Sequence, residues 1–450
     1  MTAQSNISEM IRSRTLMLAI GAISIAFVAL VATATNVRAI TIQEVEGNSG
    51  IKAWLVEDYT VPIITISASF RGGATQDPDG KEGMASLLST LFDEGAGPYD
   101  SKDFQARLEK LGVSLRYNDS RDGFRVSLRT LKSDLDNAVE MMQLSLSDLH
   151  FEEDSISRMR EALKARILRR ENNPSTKAGE AIRTSLFGEH PYSRSSRGTI
   201  DGLTAISRGD LVSHFKRLFA KNNLTVGIVG AVNSEEAADL LDEIFGGLPE
   251  TADLNPVKRA EISFGEDIRI EEELPQSTIT LALPGVPRSD PEFFAAYLMN
   301  QILGGGSFSS RLYNEVREKR GLAYSVYSSL TNYDNASFLS MGSKTKSDRA
   351  DETLSIMRAE IERMANDGPT PEELESAKKY VIGSYAINNL DTTGKIARAL
   401  VAMQEEDLGR DYIDRRTEFI NSVTLEDVKA VAKRLLSQKP TIVVVGPSAT

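Results

Sequence analysis

The chain has 450 residues, of which 64 are acidic and 52 basic, so its formal charge is −12 at pH 7. A negative surplus of this size disfavours nucleic acid and anionic lipid surfaces as partners. The chain has no cysteine, which excludes disulfides and thiolate catalysis. Its hydrophobic fraction of 41% is ordinary for a globular protein, and its length suffices for two or three domains.

The N-terminus resembles a bacterial secretory signal. Arg12 and Arg14 precede an uncharged run at 16–34, and a small-residue cleavage pattern ends at Ala39. We expect residues 1–39 to be removed and the mature chain to be periplasmic or secreted, with no stable insertion in a membrane. The alternative is an uncleaved membrane anchor, because about nineteen uncharged residues could just span a bilayer.

The segment "GMASLLSTLFDEG", residues 83–95, predicts an amphipathic helix, because its apolar residues recur at helical spacing. The opposite face carries three small hydroxyls, Ser86, Ser89 and Thr90, and no charge. A helix face in contact with bulk water usually carries longer charged side chains. The pattern therefore raises the question of what this hydroxyl face contacts.

The sequence contains an internal repeat. Residues 205–230 and 422–446 each begin with a Ser or Thr three residues before an Asp, continue as an amphipathic helix and end in a β-branched strand closed by glycine. The segments before them also correspond. The repeat predicts an α+β fold of two homologous domains, each an antiparallel-rich sheet covered by helices on one side, with a cavity between them. We place the domains at 40–248 and 263–450, joined by a linker at 249–262.

The usual signals of hydrolytic chemistry are missing. The three histidines are His150, His190 and His214, and none has a second histidine at metal-ligand spacing. We expect His190 and His214 to be structural. The glycine-rich segment at 303–312 lacks the Lys-Ser/Thr ending of a phosphate loop and predicts a turn. A hydrolase that uses the serines would need a base, and none stands at a recognisable spacing.

The segment "SSRLYNEVREKRGLAYSVYSSL", residues 309–330, predicts a helix, a glycine C′ residue at Gly321 and a strand. Arg317 lies in the last helical turn and Tyr324 just inside the strand, with its side chain on the same face as Leu322. Both side chains could reach one spot, where a guanidinium and a phenol would suit a carbonyl or an oxyanion. The other interpretation is that Arg317 caps the helix and Tyr324 packs in the core.

Together with "FRGGATQDPDGKEG", "RRENNPSTKAGEAI" and "GEHPYSRSSRGT", these motifs make the chain resemble the pitrilysin/insulinase family of zinc peptidases, the inverzincins, and especially its bacterial processing-peptidase-like members. In that family the first helix carries H-x-x-E-H. The matching positions here are Ser86, Ser89 and Thr90, and the third ligand position falls near Arg166. The resemblance implies no metal site and no cofactor in this chain, since a cation opposes Zn²⁺ binding. It also implies that the hydroxyl face looks into the space between the domains.

The family's Arg/Tyr pair maps onto Arg317 and Tyr324, which in relatives bind the substrate backbone and stabilise the tetrahedral intermediate. Some family members are heterodimers in which one subunit carries zinc and the other this pair. The resemblance implies the second kind of subunit, inactive alone and dependent on a homologous zinc-bearing partner with an intact H-x-x-E-H. The substrate would be a peptide or a small unfolded protein. The alternative is a non-enzymatic peptide-binding or scaffold protein of the same fold.

Overall fold

The repeat predicted from the sequence is visible in the strands. The computed structural model describes residues 40–448, so the signal peptide predicted at 1–39 lies outside the described part. The strands are β1 Gln43–Glu46, β2 Lys52–Glu57, β3 Ile63–Arg71, β4 Gly95–Ala96, β5 Tyr99–Asp100, β6 Ser114–Asp119, β7 Gly123–Leu131, β8 Leu224–Gly230, β9 Asp267–Glu271, β10 Gln276–Pro284, β11 Ala323–Tyr333, β12 Ala336–Lys346 and β13 Thr441–Gly446.

The two large sheets have the same topology. The first has the order β1-β2-β8-β3-β7-β6, and the second has the order β11-β12-β10-β13-β9. Read from β9, the second sheet has the order β9-β13-β10-β12-β11, which corresponds strand by strand to β2-β8-β3-β7-β6 of the first. In both sheets the first two of these strands are parallel, and all later neighbours are antiparallel. β1 is an additional strand of the first sheet. The strand order confirms two homologous, antiparallel-rich α+β halves.

The helices lie between these strands in the predicted order. They are α1 Met84–Ser89, α2 Ser101–Leu111, α3 Leu135–Ser147, α4 Glu153–Glu171, α5 Pro174–Phe187, α6 Ile200–Ala205, α7 Arg208–Leu218, α8 Ser234–Phe245, α9 Phe293–Asn300, α10 Ala350–Asp367, α11 Pro371–Asn389, α12 Thr393–Glu405, α13 Tyr412–Ser422 and α14 Leu425–Leu436. Within each half, the apolar faces of its helices cover one side of its sheet and form a separate hydrophobic core.

The repeated helices α7 and α14 begin as their sequences predict. Ser207 and Thr424 each accept a hydrogen bond from the backbone N–H three residues on, and Asp210 and Asp427 bond back to the backbone of the cap residue. These capping boxes satisfy backbone donors that would otherwise have no partner. The local pattern therefore fixes where both helices start.

The second side of each sheet is covered by a helix from the other half, which the sequence does not predict. α5 packs on β10 and β13 of the second sheet, and α12 packs on β3 and β8 of the first. Thr65 Oγ1 lies 2.8 Å from Thr393 Oγ1 across one of these contacts. The other contact is apolar, since Ile182 and Phe187 join one buried cluster with Val443. The two halves are thereby packed into each other.

Residues 251–266 connect the halves without a helix or strand. This segment is nevertheless held, because the Ala260 N–H donates to Asn335 O and Gln76 exchanges two hydrogen bonds with Asn255. The exact domain limits of 40–248 and 263–450 remain a prediction. Of the helices described, none combines the length and the hydropathy required to cross a bilayer.

The exchanged packing predicts a stability effect at Gly227. A Cβ at this position would lie 2.7 Å from Ala397 O and 2.9 Å from Leu400 Cβ. We expect Gly227→Ala to lower the free energy of unfolding by ~1–3 kcal/mol, because α12 must move off the sheet. Gly383→Ala in α11 is the matched control, since its Cβ would meet nothing within 4 Å. The control should raise stability by up to about 1 kcal/mol. Denaturant unfolding measures both, and an unchanged Gly227→Ala protein would contradict the packing described.

Candidate functional site

The hydroxyl wall consists of Ser86, Ser89 and Thr90 and lies on α1. The helix ends at Ser89, earlier than the predicted 83–95, and Thr90 is its C-cap. Thr90 Oγ1 donates to Leu87 O at 2.7 Å. A hydroxyl bonded to the backbone in this way competes with continued helix, which gives a local reason for the early end. Ser86 is buried, while Ser89 and Thr90 are half-buried.

The hydroxyl wall is hydrogen-bonded to a carboxyl, Asp119, that lines a cavity and that the sequence does not reveal. Ser89 Oγ lies 2.9 Å from Asp119 Oδ1, at the end of β6. Asp119 lines a cavity of about 1030 Å³ between the two halves, although the three hydroxyl residues themselves are not in its lining. Burial raises the pKa of Asp119, and its bond from Ser89 and the charges of Arg197 and Arg166 oppose that rise.

The start of α1 is fixed by a second carboxyl. Asp77 is 5% exposed and accepts hydrogen bonds from the N–H groups of Gly83 at 2.8 Å and Ala85 at 2.9 Å. Gly83 has φ of +102°, which suits a residue without Cβ. A Cβ at Gly83 would also lie 3.2 Å from Arg197 O. The loop that carries Arg197 therefore packs directly on the start of the helix.

The donor groups around the hydroxyl wall do not fit a zinc ion. Zn²⁺ sites in proteins use imidazole, thiolate and carboxylate ligands. Here one carboxylate, Asp119, faces neutral hydroxyls and the guanidinium groups of Arg166 and Arg197. Within residues 40–448, no three His, Cys, Asp or Glu side chains are grouped so that they could hold a metal ion.

The histidines lie in structural positions. His190 Nε2 is 2.9 Å from Lys258 O, and its Nδ1 accepts from the Tyr192 N–H at 3.1 Å. His150 Nε2 is 2.8 Å from the carbonyl oxygen of Gly97. His214 is 2% exposed, and burial lowers its pKa to about 4, so it is a neutral core residue at neutral pH.

The cavity is lined by residues of both halves, and its charged groups are numerous. Its arginine and carboxyl side chains are Arg71, Arg121, Arg125, Arg288, Arg398, Asp119, Asp122, Asp334, Glu405 and Glu406. At its edge, Tyr192 OH donates to Asp122 Oδ1 at 2.7 Å and accepts from the Asn335 N–H at 3.0 Å. Burial and the charge of Asp122 raise the pKa of Asp334 to about 6. Through Tyr192, the turn between β6 and β7 is hydrogen-bonded to the turn between β11 and β12 at this edge of the cavity.

Tyr324 does not share the buried face predicted for it. Leu322 and Val326 are buried, whereas Tyr324 is 84% exposed. The register between β11 and β12 shifts between Ala323 and Ser325, so Tyr324 is the extra residue of a β-bulge. A bulge turns one side chain away from the alternation of the strand. The interpretation in which Tyr324 packs in the core is therefore wrong.

Arg317 lies in a π-helical turn, Tyr313–Glu318, where the sequence predicted ordinary α-helix. Gly321, with φ of +61°, follows as the predicted C′ glycine. The Arg317 guanidinium stacks on the Tyr313 ring at 4.9 Å, and no side-chain hydrogen bond or ion pair engages it in the part of the chain described. The π-helical turn packs on β11, which brings Arg317 and Tyr324 to one end of the second sheet. Neither residue lines the cavity.

The surface near Arg317 and Tyr324 is aromatic and has an open strand edge. Phe308 is 74% exposed and Tyr327 is 52% exposed. β11 is the last strand of its sheet and, among the strands described, pairs only with β12. Exposed aromatic groups and a free strand edge are features of surfaces that bind other chains.

Comparison with known protein families assigns both parts of this chain to one family. The profile described as insulinase (peptidase family M16) matches residues 53–200, and the profile described as peptidase M16 inactive domain matches residues 205–381. The chain belongs to the M16 peptidase family. The second match begins before α7 and β8 of the first half, and the two matches together include strands of both sheets.

Individual M16 proteins are similar along most of this chain. An uncharacterized zinc protease of Streptomyces coelicolor is 26% identical over 83% of both chains. The non-peptidase homolog YmxG of Helicobacter pylori is 24% identical over 74% of this chain and 77% of its own. A crystal structure of a peptidase M16 inactive domain from Pseudomonas fluorescens has a TM-score of 0.86 and 27% identity, covering 91% of this chain and 99% of that one. This chain is an M16 homologue of the inactive-domain type.

The buried carboxyl of Asp77 predicts a dependence of stability on pH. Burial raises its pKa from 3.8 to about 7. Because the folded chain then binds this proton more tightly, the stability it contributes is full below pH ~4 and is lost as pH rises through about 7. We expect the free energy of unfolding of Asp77→Asn to depend less on pH than that of the parent. At pH 5 it should be lower than the parent's by about 1 kcal/mol, because the amide has only one acceptor oxygen for the two N–H groups. Denaturant midpoints from pH 4 to pH 8 measure both effects.

The matched control for this experiment is Asp79→Asn, which removes a carboxyl that is 89% exposed and two residues away. It should leave the pH profile of unfolding as it is in the parent. An Asp77→Asn protein whose pH profile coincides with that of the parent would contradict the assignment.

Proposed function

We propose that this chain is the non-zinc subunit of a heterodimeric zinc peptidase, in which Arg317 and Tyr324 act on substrate bound at a partner's metal. The observation that carries the proposal is the contrast between the halves. By the resemblance, the first half has hydroxyls and Arg166 where the family has metal ligands, and the second half presents Arg317 and Tyr324 with no side-chain hydrogen bond among the described residues.

The exposure of these two side chains supports a site completed by another chain. Among residues 40–448, the Arg317 guanidinium makes no side-chain hydrogen bond and stacks on Tyr313, and the Tyr324 phenol is 84% exposed, so both have donors available. Such donors suit a carbonyl or a developing oxyanion once a second surface excludes water from them. The zinc and the general base would come from a homologous subunit with an intact H-x-x-E-H.

The neighbouring strand edge supports a peptide substrate. β11 has eleven residues and one side that no other described strand pairs with, and Ser325, Tyr327 and Ser329 are exposed on this strand. An extended peptide can add to such an edge through main-chain hydrogen bonds, which demand little sequence specificity. The substrate would be a peptide or a small unfolded protein.

The proposal on the cellular compartment rests on the N-terminal sequence pattern alone. We propose that residues 1–39 direct the chain across the cytoplasmic membrane and that the subunit works in the periplasm or outside the cell. Mass determination of the N-terminus of the secreted chain tests this, and an intact Met1 would contradict cleavage after Ala39.

Reconstitution tests the main proposal. Mixing the purified chain with a homologous M16 subunit that carries H-x-x-E-H should give peptide cleavage that neither chain shows alone, and the zinc should be found with the partner. Arg317→Ala or Tyr324→Phe should each lower kcat of the mixture by roughly 10²–10³, the usual value of one oxyanion donor. Undiminished kcat in both variants would remove the role assigned to them.

Matched controls are available on exposed surface elsewhere. Arg410→Ala and Tyr380→Phe change the same residue types at exposed positions, and both should leave kcat unchanged. The second candidate function is a non-enzymatic peptide-binding or scaffold protein, favoured by the similarity to the Helicobacter pylori non-peptidase homolog. It predicts peptide binding without turnover in every mixture.

A further inference from the structure

Five arginines lie close enough to act electrostatically on one another and form an arginine cluster. They are Arg121, Arg166, Arg170, Arg183 and Arg197. In the described part of the chain, none of the five makes an ion pair with an Asp or Glu. Only Arg121 has side-chain hydrogen bonds, to the carbonyl oxygens of Tyr192 at 3.2 Å and Arg194 at 2.9 Å.

The arginine cluster is held together by the fold. Arg166 and Arg170 are one helical turn apart on α4, which packs against α1. The backbone of Arg197 packs on the start of α1, and Gly198 lies so close that a Cβ there would be 2.2 Å from Glu82 O. The neighbouring guanidinium groups of Arg170 and Arg166 contribute, after burial, to lowering the pKa of Arg197.

This concentration of positive charge is unusual for the composition. Acidic residues outnumber basic ones by 64 to 52, so carboxylates are available elsewhere in the chain. Three carboxyls act on the arginine cluster without an ion pair in the described part of the chain: Asp119 on Arg166 and Arg197, Asp122 on Arg121, and Glu180 on Arg183. Five guanidinium groups beside three carboxyls leave a surplus of positive charge, which suits a bound anion.

The cavity beside the arginine cluster indicates the size of the ligand. Arg121 and Ser196, the neighbour of Arg197, line it, and its volume is about 1030 Å³. A space of this size holds several residues of a peptide rather than one small ion. The net charge of −12 disfavours a long polyanion such as nucleic acid more than a short acidic peptide, because most of a long polyanion's charges extend beyond the arginine cluster.

We propose that the arginine cluster binds carboxylates of an acidic peptide that occupies the adjoining cavity. Arginine recognises carboxylates through paired N–H donors, and clusters of arginines recognise acidic motifs. The inference takes from the proposed function only that the ligand is a peptide. It requires no partner subunit and no cleavage.

Binding to the purified full-length chain tests the proposal. Fluorescence anisotropy would compare peptides of about ten residues with the same label, one rich in Asp and Glu, one rich in Lys, and one neutral. The acidic peptide with an amidated C-terminus should bind at least about tenfold tighter than the Lys-rich one and weaken as salt rises. A neutral peptide with a free C-terminus shows whether a terminal carboxylate is sufficient. Equal binding of acidic and Lys-rich peptides would overturn the proposal, as would tighter binding of a single-stranded oligonucleotide of matched length.

Variants locate the site. Arg166→Glu combined with Arg197→Glu should weaken acidic-peptide binding by at least roughly tenfold, and the two Lys substitutions should retain most of it because they keep the charge. Lys379→Glu combined with Arg410→Glu makes the same change in net charge at exposed positions of the second half, outside the arginine cluster, and should have little effect. A loss no greater than in this control would overturn the assignment. The readout is independent of peptide cleavage, so a failed reconstitution with a partner leaves it unaffected.

Discussion

The exchange of helices between the two halves is the constraint on which the rest of the structure depends. α5 covers the second sheet and α12 covers the first, so neither half completes its own layers. Burying one large apolar side chain contributes about 1.5–3 kcal/mol, and Phe187, Phe338 and Val443 are all buried in the shared cluster. Separating the halves would expose these side chains to water. The cavity between them is therefore formed by the fold itself.

Features that depend on a few neighbouring residues could be predicted from the sequence. The capping boxes at Ser207 and Thr424 and the C′ glycine at Gly321 each need only residues within one helical turn. The repeat gave the order of strands and helices for the same reason, since each copy carries its own periodicity. The identity of the family followed from these same segments.

Features that depend on pairing between distant segments could not be predicted. Tyr324 is turned outward by a bulge whose position is set by the pairing of β11 with β12. Leu91 and Phe92 continue the apolar spacing of α1 and are buried, yet the helix ends at Ser89. The bond from Ser89 to Asp119 joins residues thirty positions apart, and no periodicity connects them. The bulge, the end of α1 and the Ser89–Asp119 bond all depend on tertiary packing, and the periodicity of a single sequence does not report it.

The two candidate sites differ in what surrounds their charged groups. Asp119 is half-buried in the cavity lining and is acted on by the exposed guanidinium groups of Arg166 and Arg197. The hydroxyl wall, bonded to Asp119 through Ser89, adds no charge to this arrangement. Arg317 and Tyr324 lie at an outer edge, where a lone guanidinium and a phenol gain little from water-exposed contacts. Their donors would become strong once another surface removes that water, which is why the proposed function assigns them a partner.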